Sequence, residues 1–175
     1  MSPPSPAARS TRRRWLAAWL GLALTAGGGS ARAGALPLSL EDPASGGPVA
    51  LEAGAVALHL VFFATWCPPC RAELAELAEL ETRWDQDGYR LVLIAVRSRH
   101  SAPRLVEFAT NERPPGRVLF DADGRAQRAL GAEHLPTHVV FDRQGNEVVR
   151  SGALGGGIEA EVERLVRGAV RRGGH

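Results

Sequence analysis

Residues 56–74 read VALHLVFFATWCPPCRAEL, and this stretch decides the fold. Its first part, Val56–Ala64, is a nearly continuous apolar run, which is typical of a strand buried on both faces of a sheet. Two cysteines follow at Cys67 and Cys70, with two prolines between them. The sequence after them predicts a helix over Pro69–Trp84, with proline in its first turn. A C-x-x-C pair between a buried strand and a helix indicates a redox-active dithiol.

The rest of the chain alternates strand and helix patterns. Further strands are predicted at Leu36–Leu40, Val49–Leu51, Tyr89–Val96, Val118–Phe120, Thr137–Asp142 and Glu147–Ser151, and further helices at Arg104–Thr110, Ala126–Leu130 and Ile158–Val170. This order predicts an α/β fold, in which a central mixed β-sheet is flanked by helices and preceded by an N-terminal β-hairpin. We expect a single domain over residues 34–175.

The N-terminal 33 residues have the layout of a signal peptide. Thr11–Arg14 is a positive segment, Trp15–Ala26 is a short apolar run, and Ala31–Ala33 is an A-x-A cleavage site. The apolar run is shorter than the ~18–20 residues that a membrane-spanning helix needs, which favours a cleaved signal over an uncleaved anchor. The arginines fit either a Sec or a twin-arginine signal. We therefore expect a periplasmic or otherwise extracytoplasmic protein that begins near Gly34.

Charge and composition exclude several function classes. The chain has 21 basic and 19 acidic residues, but five arginines and no acid lie in the first 33 residues. The remaining sixteen basic residues against nineteen acidic ones make the body slightly acidic. This argues against nucleic-acid binding, which needs a basic face. The chain also lacks lysine, which excludes Schiff-base chemistry.

Cys67 and Cys70 are the two cysteines of the sequence, and their spacing favours redox chemistry over a stabilising structural disulfide. A disulfide between Cys67 and Cys70 closes so short a loop that it stabilises the fold little. A zinc site needs a second pair of ligands at similar spacing, and the histidines do not provide one. We expect neither a metal nor a cofactor. At a helix N-terminus, Cys67 is expected to be the exposed, reactive thiol and Cys70 the shielded one.

Glu73 is a candidate proton donor and acceptor. Stepped at about 100° per residue from Cys70, it falls inside the apolar stripe of the predicted helix, whereas Glu76 and Glu79 point away. Burial disfavours the charged form of a carboxyl group, which suits proton exchange with a neighbouring thiol. The alternative is a surface carboxylate paired with Arg71 or another cation.

A third element of the candidate site is Leu135-Pro136-Thr137. A proline at this strand start is a candidate for a cis peptide bond, with an ordinary trans proline as the alternative. The backbone of Leu135 would then be free to pair with an extended substrate chain. We expect Trp66, Pro68, Leu135 and Pro136 to contact the substrate. His59 is interpreted as a strand-end or satisfied core histidine rather than a ligand.

Residues from about Leu36 to Val170 resemble thioredoxin-fold proteins of the TlpA/ResA type. The matching segments are FFATWCPPCRAEL, LFDADGRAQRALG and LPTHVVFDRQGNEV. The resemblance implies that Cys67 is the attacking thiol, Cys70 the resolving thiol and Pro136 the active-site cis-proline. Glu73 matches the buried glutamate of this family.

The resemblance also implies a function and partners. It implies an exported thiol-disulfide oxidoreductase that reduces protein disulfides, in cytochrome c maturation or metal-centre assembly, with a membrane-bound electron donor. We expect a monomer. Four positions differ from related proteins. Val61 replaces the buried aspartate of thioredoxins, which leaves any proton relay to Glu73, and Thr137 replaces a glutamate that is usual in the cytochrome-maturation branch. Ala75 replaces the proline that is common after the glutamate, which implies an unkinked helix, and Phe63 replaces a tryptophan.

Two other functions stay open on the sequence. A copper-binding assembly chaperone would use Cys67 and Cys70 as ligands and would retain metal through purification. A thiol peroxidase would consume peroxide without help from Cys70. The reductant interpretation further predicts a moderate reduction potential, because the two prolines between the cysteines have no N–H to offer the Cys67 thiolate.

Overall fold

The structure, a computed structural model, describes residues 35–52 and 54–173. The expected export signal, its cleavage site and the start at Gly34 lie outside the described residues.

Within the described residues, seven strands form one mixed sheet in the order β2-β1-β5-β4-β3-β6-β7. The strands are β1 (Ala35–Glu41), β2 (Pro48–Glu52), β3 (Ala57–Phe63), β4 (Tyr89–Val96), β5 (Arg117–Asp121), β6 (Thr137–Asp142) and β7 (Glu147–Ser151). Strands β3, β4 and β5 run parallel, and β1, β6 and β7 each run antiparallel to the neighbour nearer the centre of the sheet. β1 and β2 form the predicted N-terminal hairpin.

The apolar run of the opening stretch lies at the heart of this sheet. All residues of β3 are buried, and the strand pairs with β4 on one side and β6 on the other. A strand covered on both faces needs apolar side chains in both directions, which explains the nearly unbroken run of Val, Leu and Phe. The strand ends at Phe63, so the segment that leaves the sheet there carries the cysteines.

In the part of the chain that the structure describes, five α-helices flank the sheet: α1 (Pro68–Ala72), α2 (Leu74–Trp84), α3 (Ala102–Glu112), α4 (Arg125–Ala129) and α5 (Ile158–Gly173). Helix α2 contacts β4, α3 contacts β5, and α5 lies over β3, β6 and β7. Helix α5 buries Ile158, Val162 and Val166, which recur on one face at helical spacing. Among the residues that the structure describes, no helix is both long and apolar enough to cross a bilayer.

The prediction of one continuous helix over Pro69–Trp84 is wrong. The helix begins at Pro68 and is interrupted at Glu73, which separates α1 from α2. Glu73 has φ −87° and ψ −9°, away from the regular helical values. The interruption falls where the Glu73 side chain turns toward the sheet and is held by hydrogen bonds from two other segments.

Candidate active site

Cys67 and Cys70 form a disulfide at the point where the chain leaves β3 and enters α1. Their Cα atoms are 5.4 Å apart. Cys67 is the N-cap residue of α1, its backbone N–H donates to the carbonyl of Ala64 at 3.0 Å, and its Sγ accepts the backbone N–H of Cys70 at 3.3 Å. The sulfur of Cys67 is therefore hydrogen-bonded to the backbone of Cys70.

The expectation that Cys67 is exposed and Cys70 shielded is wrong for this oxidised form. Cys67 is only 5% exposed and Cys70 only 3%. The Cys67 sulfur lies against the first turn of α1, where it is bonded to Cys70 and accepts the Cys70 N–H. The neighbours Trp66 and Pro68 are exposed instead, so they form the surface on either side of the buried sulfur.

Glu73 faces inward, as its place on the helical wheel predicts. Its side chain is 18% exposed. Oε2 lies 2.8 Å from Nε2 of His138 on β6, and Oε1 accepts the backbone N–H of Leu154 at 3.1 Å. The alternative pairing with Arg71 is excluded here, because Arg71 forms an ion pair with Glu112 at 2.8 Å.

Behind Glu73, a row of polar side chains runs into the core. His138 Nδ1 lies 3.0 Å from His59 Nε2, and His59 Nδ1 lies 2.7 Å from the hydroxyl of Tyr89. All three side chains are fully buried. His59 is thus the satisfied core histidine that the sequence indicates, and it is hydrogen-bonded at both ring nitrogens.

Sequence reasoning missed His138 and Tyr89. The register of the sheet pairs Val61 of β3 with His138 of β6, which puts His138 diagonally next to His59. A polar residue within each of two otherwise apolar strands was the available signal, but only the strand pairing shows that they meet.

Burial sets the protonation of this row. It lowers the pKa of His59 well below its usual range, and the neighbouring His138 adds to that effect. Burial also lowers the pKa of His138, against the opposing attraction of Glu73. For Tyr89, burial raises the pKa of the phenol, helped by the charge of Glu81. At neutral pH we therefore treat both imidazoles and the phenol as uncharged.

The Leu135–Pro136 peptide bond is cis, as the sequence indicates. Thr137 begins β6 immediately after it and pairs with Phe62 near the end of β3. Because β6 runs antiparallel to β3, the start of one strand meets the end of the other. The cis-proline and the cysteine motif therefore lie at the same edge of the sheet.

Trp66 is held in an exposed position by the segment after β4. It is 42% exposed, and its Nε1–H donates to the carbonyl of Ser98 at 3.1 Å. Its ring stacks on His100 with centroids 6.5 Å apart, and the guanidinium of Arg99 lies 5.2 Å from the ring centroid. His100 in turn contacts the backbone N–H of Thr65 at 3.2 Å. The sequence analysis did not single out this segment, whose side chains support the surface beside Cys67.

Within residues 35–52 and 54–173, no three His, Cys, Asp or Glu side chains are grouped as metal ligands. The arrangement described above instead combines a dithiol, a partly buried carboxylate and an apolar surface. It can exchange a disulfide and move a proton, and it needs no further group to do so.

Comparisons with known proteins agree with this chemistry. The sequence model of the AhpC/TSA family matches residues 37–150. The solution structure of an uncharacterized thioredoxin-like protein from Porphyromonas gingivalis is 30% identical, with a TM-score of 0.63 and coverage of 79% of this chain and 92% of that chain. A thiol:disulfide interchange protein of the thioredoxin family from Chlorobium tepidum TLS is 25% identical, with a TM-score of 0.60 and coverage of 79% and 94%. The predicted thioredoxin-like fold is confirmed.

Among curated proteins, nucleoredoxin from Danio rerio is 27% identical over 108 residues. The match covers 60% of this chain but only 25% of that protein, so the chain spans about a quarter of the nucleoredoxin it matches.

Proposed function

This chain belongs to the AhpC/TSA family and is a thioredoxin-like thiol:disulfide oxidoreductase of the TlpA/ResA type; on that premise, we propose that it reduces protein disulfides outside the cytoplasm. The observation that carries the proposal is the Cys67–Cys70 pair at the start of α1, with a partly buried carboxylate directly after that helix. The described disulfide is the oxidised end of the catalytic cycle.

In the reduced protein, the Cys67 thiolate attacks one sulfur of a substrate disulfide. A bond forms between Cys67 and the substrate, and the second substrate sulfur leaves as a thiolate. Cys67 is suited to attack because it occupies the N-cap of α1 and receives the Cys70 N–H. The N-cap position favours negative charge on sulfur, although α1 is only five residues long.

Cys70 then resolves the mixed disulfide. Its thiol gives a proton to Glu73, and its thiolate attacks the Cys67 sulfur. The substrate sulfur that leaves in this step takes up the proton from Glu73, and the thiolate released in the first step takes a proton from water, so the substrate departs as a dithiol. Two electrons pass from the cysteine pair to the substrate. Glu73 is placed for this step three residues after Cys70, with its carboxylate held by His138 and Leu154.

Trp66, Pro68, Leu135 and Pro136 form the proposed substrate surface. The first two are exposed beside Cys67, Leu135 is half-buried, and Pro136 is buried behind it, so its part in the surface is to set the backbone of Leu135. Leu135 and Pro136 precede β6 at the same edge of the sheet. The backbone of Leu135 pairs with an extended substrate segment, as one strand pairs with another. An exposed indole next to the attacking thiol supplies apolar contact area for that segment.

We also place the reaction outside the cytoplasm, with a membrane-bound electron donor that returns the pair to the dithiol. The signal-peptide pattern of the first 33 residues supports this localisation. We propose that the reducing equivalents serve cytochrome c maturation or metal-centre assembly. Mass measurement of the protein exported by its native host tests the address: we expect Gly34 as the first residue, whereas an intact N-terminus in the membrane fraction would indicate an anchor.

Substrate trapping tests the function. Cys70→Ser should accumulate a mixed disulfide between Cys67 and substrate proteins, which dithiothreitol releases. The matched control, Cys67→Ser, should trap far less. Trapping by Cys70 instead would reverse the two roles. Peroxide consumption that survives Cys70→Ser, or copper that stays bound through purification, would replace the proposal by a peroxidase or a copper chaperone.

A further inference from the structure

The row Tyr89–His59–His138–Glu73 is longer than disulfide exchange requires. Only Glu73 is close in sequence to the cysteines; the other three side chains come from β4, β3 and β6 and are fully buried. Consecutive polar atoms along the row lie 2.7, 3.0 and 2.8 Å apart. Buried polar groups of this kind cost stability unless all are satisfied, so the row invites a functional explanation.

The row has a direction, and Tyr89 sets it. Within the described residues, the Tyr89 hydroxyl has one hydrogen-bond partner, Nδ1 of His59. Burial raises the pKa of the phenol, so the hydroxyl keeps its proton, and within the described residues His59 Nδ1 is the acceptor in reach of it. We infer that the hydroxyl donates to that nitrogen, which agrees with a carboxylate that can only accept at the far end of the row. A neutral imidazole has one N–H and one acceptor nitrogen. His59 therefore carries its proton on Nε2.

The tautomer of His138 is determined by His59 in the same way. His59 Nε2–H donates to Nδ1 of His138, which leaves the His138 proton on Nε2. That N–H points at Oε2 of Glu73. A hydroxyl at one end of the row thus favours a proton on the ring nitrogen, Nε2 of His138, that faces the carboxylate at the other end.

We propose that Tyr89, His59 and His138 are positioning residues that keep Glu73 an oriented carboxylate, ready to accept the proton of Cys70. The inference rests on the role of Glu73 in the proposed function. Without the tyrosine hydroxyl, His138 is free to adopt the other tautomer, whose Nε2 lone pair would face and repel the carboxylate.

The row does not conduct protons to the active site. Moving each proton one step toward Glu73 would leave a tyrosinate in the apolar core, which the raised pKa of Tyr89 opposes. It acts by fixing tautomers and orientation, as the second partner of a metal-bound or catalytic histidine does.

Other charged groups around the row are engaged elsewhere. Glu81 of α2 acts on Tyr89 electrostatically and accepts the backbone N–H of Gly116 at 2.9 Å. On α5, Glu161 is paired with Arg164, and the buried residues are apolar. The Leu154 N–H, which Oε1 accepts at 3.1 Å, is the other polar partner of Glu73 within the described residues.

The first test reads the tautomers directly. Nitrogen chemical shifts of the two imidazoles in the full-length protein, measured between pH 6 and 8, should show neutral rings protonated at Nε2 for both His59 and His138. An Nδ1–H tautomer or an imidazolium at either residue overturns the inference.

The second test is a double-mutant cycle on the pH profile of mixed-disulfide resolution. Tyr89→Phe should move the midpoint of this profile to higher pH by about half a unit or more. The reason is that the variant loses the hydrogen bond to His59 that favours the Nε2–H tautomer of both histidines. In a His138→Gln background, Tyr89→Phe should move it by much less, because a glutamine amide donates to Glu73 without a choice of tautomer. Equal shifts in both backgrounds, or none in either, contradict the inference.

Two further variants separate the possible failures. Asp121→Asn weakens another buried polar site, the cap that accepts N–H groups from Ala126 at 3.1 Å and Gln127 at 2.8 Å, and should leave the profile unmoved. Glu73→Gln should slow resolution near neutral pH and leave a profile set by ionisation of the Cys70 thiol alone. If it does so while Tyr89→Phe has no effect, only the positioning role fails; if Glu73→Gln also has no effect, the proposed role of Glu73 fails with it.

Discussion

His138 Nε2 lies 2.8 Å from Glu73 Oε2, which joins the interruption between α1 and α2 to the strand that follows the cis-proline. The Glu73 carboxylate is therefore fixed by the sheet. Its other oxygen, Oε1, accepts the Leu154 N–H, so residues distant in the sequence hold both oxygens. This makes Glu73 the residue whose replacement is most informative.

Replacement of Glu73 by glutamine should slow resolution of the mixed disulfide. Loss of a positioned general base typically costs about 100-fold or more, so we expect at least a tenfold loss near neutral pH. The rate should be followed by quenching a preformed mixed disulfide at intervals across pH 5 to 9. Glu76→Gln, on the exposed face of α2, is the matched control. Identical profiles for Glu73→Gln and the parent protein would make Glu73 merely structural.

Alkylation should distinguish the two thiols of the reduced protein. We expect limiting iodoacetamide to label Cys67 first, because its N-cap position and the Cys70 N–H favour a thiolate there. Peptide mass analysis after a short exposure to the reagent measures the ratio of alkylated Cys67 to alkylated Cys70. Preferential labelling of Cys70 would show that reduction does not open Cys67 to solvent.

Trp66 should matter for protein substrates and little for small ones. Trp66→Ala removes an exposed indole beside Cys67, so we expect KM for a protein disulfide to rise several-fold while reduction of a small aromatic disulfide changes by less than about twofold. Trp84→Phe, in α2 and next to Arg167, is the control. Equal losses on both substrates would point to a damaged dithiol instead of a lost contact.

Stability should fall as the pH drops below about 6.5, because burial lowers the pKa of His59 and of His138 in the folded protein. The unfolded chain then binds more protons, which costs up to about 1.4 kcal/mol per pH unit for each histidine. Urea unfolding between pH 5 and 7.5 measures the slope. His59→Leu should reduce the dependence of the free energy of unfolding on pH, whereas His134→Gln, at an exposed position, should leave it unchanged. A parent slope of zero would show that the imidazoles are charged in the core.

The strands could be predicted from the sequence because runs of apolar and β-branched residues between turn residues are a local pattern. Tyr89–Val96, Thr137–Asp142 and Glu147–Ser151 are found with the predicted bounds. The helices were predicted less well at their ends: α3 extends over Ala102–Glu112 rather than Arg104–Thr110. Helix ends depend on capping and packing, which a short periodic pattern does not contain.

The parts of the site that were missed depend on contacts between distant residues. Glu73 meets His138, 65 residues away, and the Leu154 N–H, 81 residues away. His59 and His138 are separated by 79 residues and meet only through the register of β3 and β6. The sequence could thus indicate that Glu73 turns inward, but not what holds it, nor that the helix breaks there.

The reduction potential tests the central claim, that this protein is a reductant. The two residues between the cysteines are prolines without an N–H, and the Cys70 N–H contacts the Cys67 sulfur only at 3.3 Å. The charge of Glu73 opposes a very stable thiolate, which a strong oxidant needs. Equilibration of the full-length protein with dithiothreitol or glutathione buffers should give a value nearer about −270 mV than about −120 mV. A value above about −150 mV would place it among the oxidants and contradict the account.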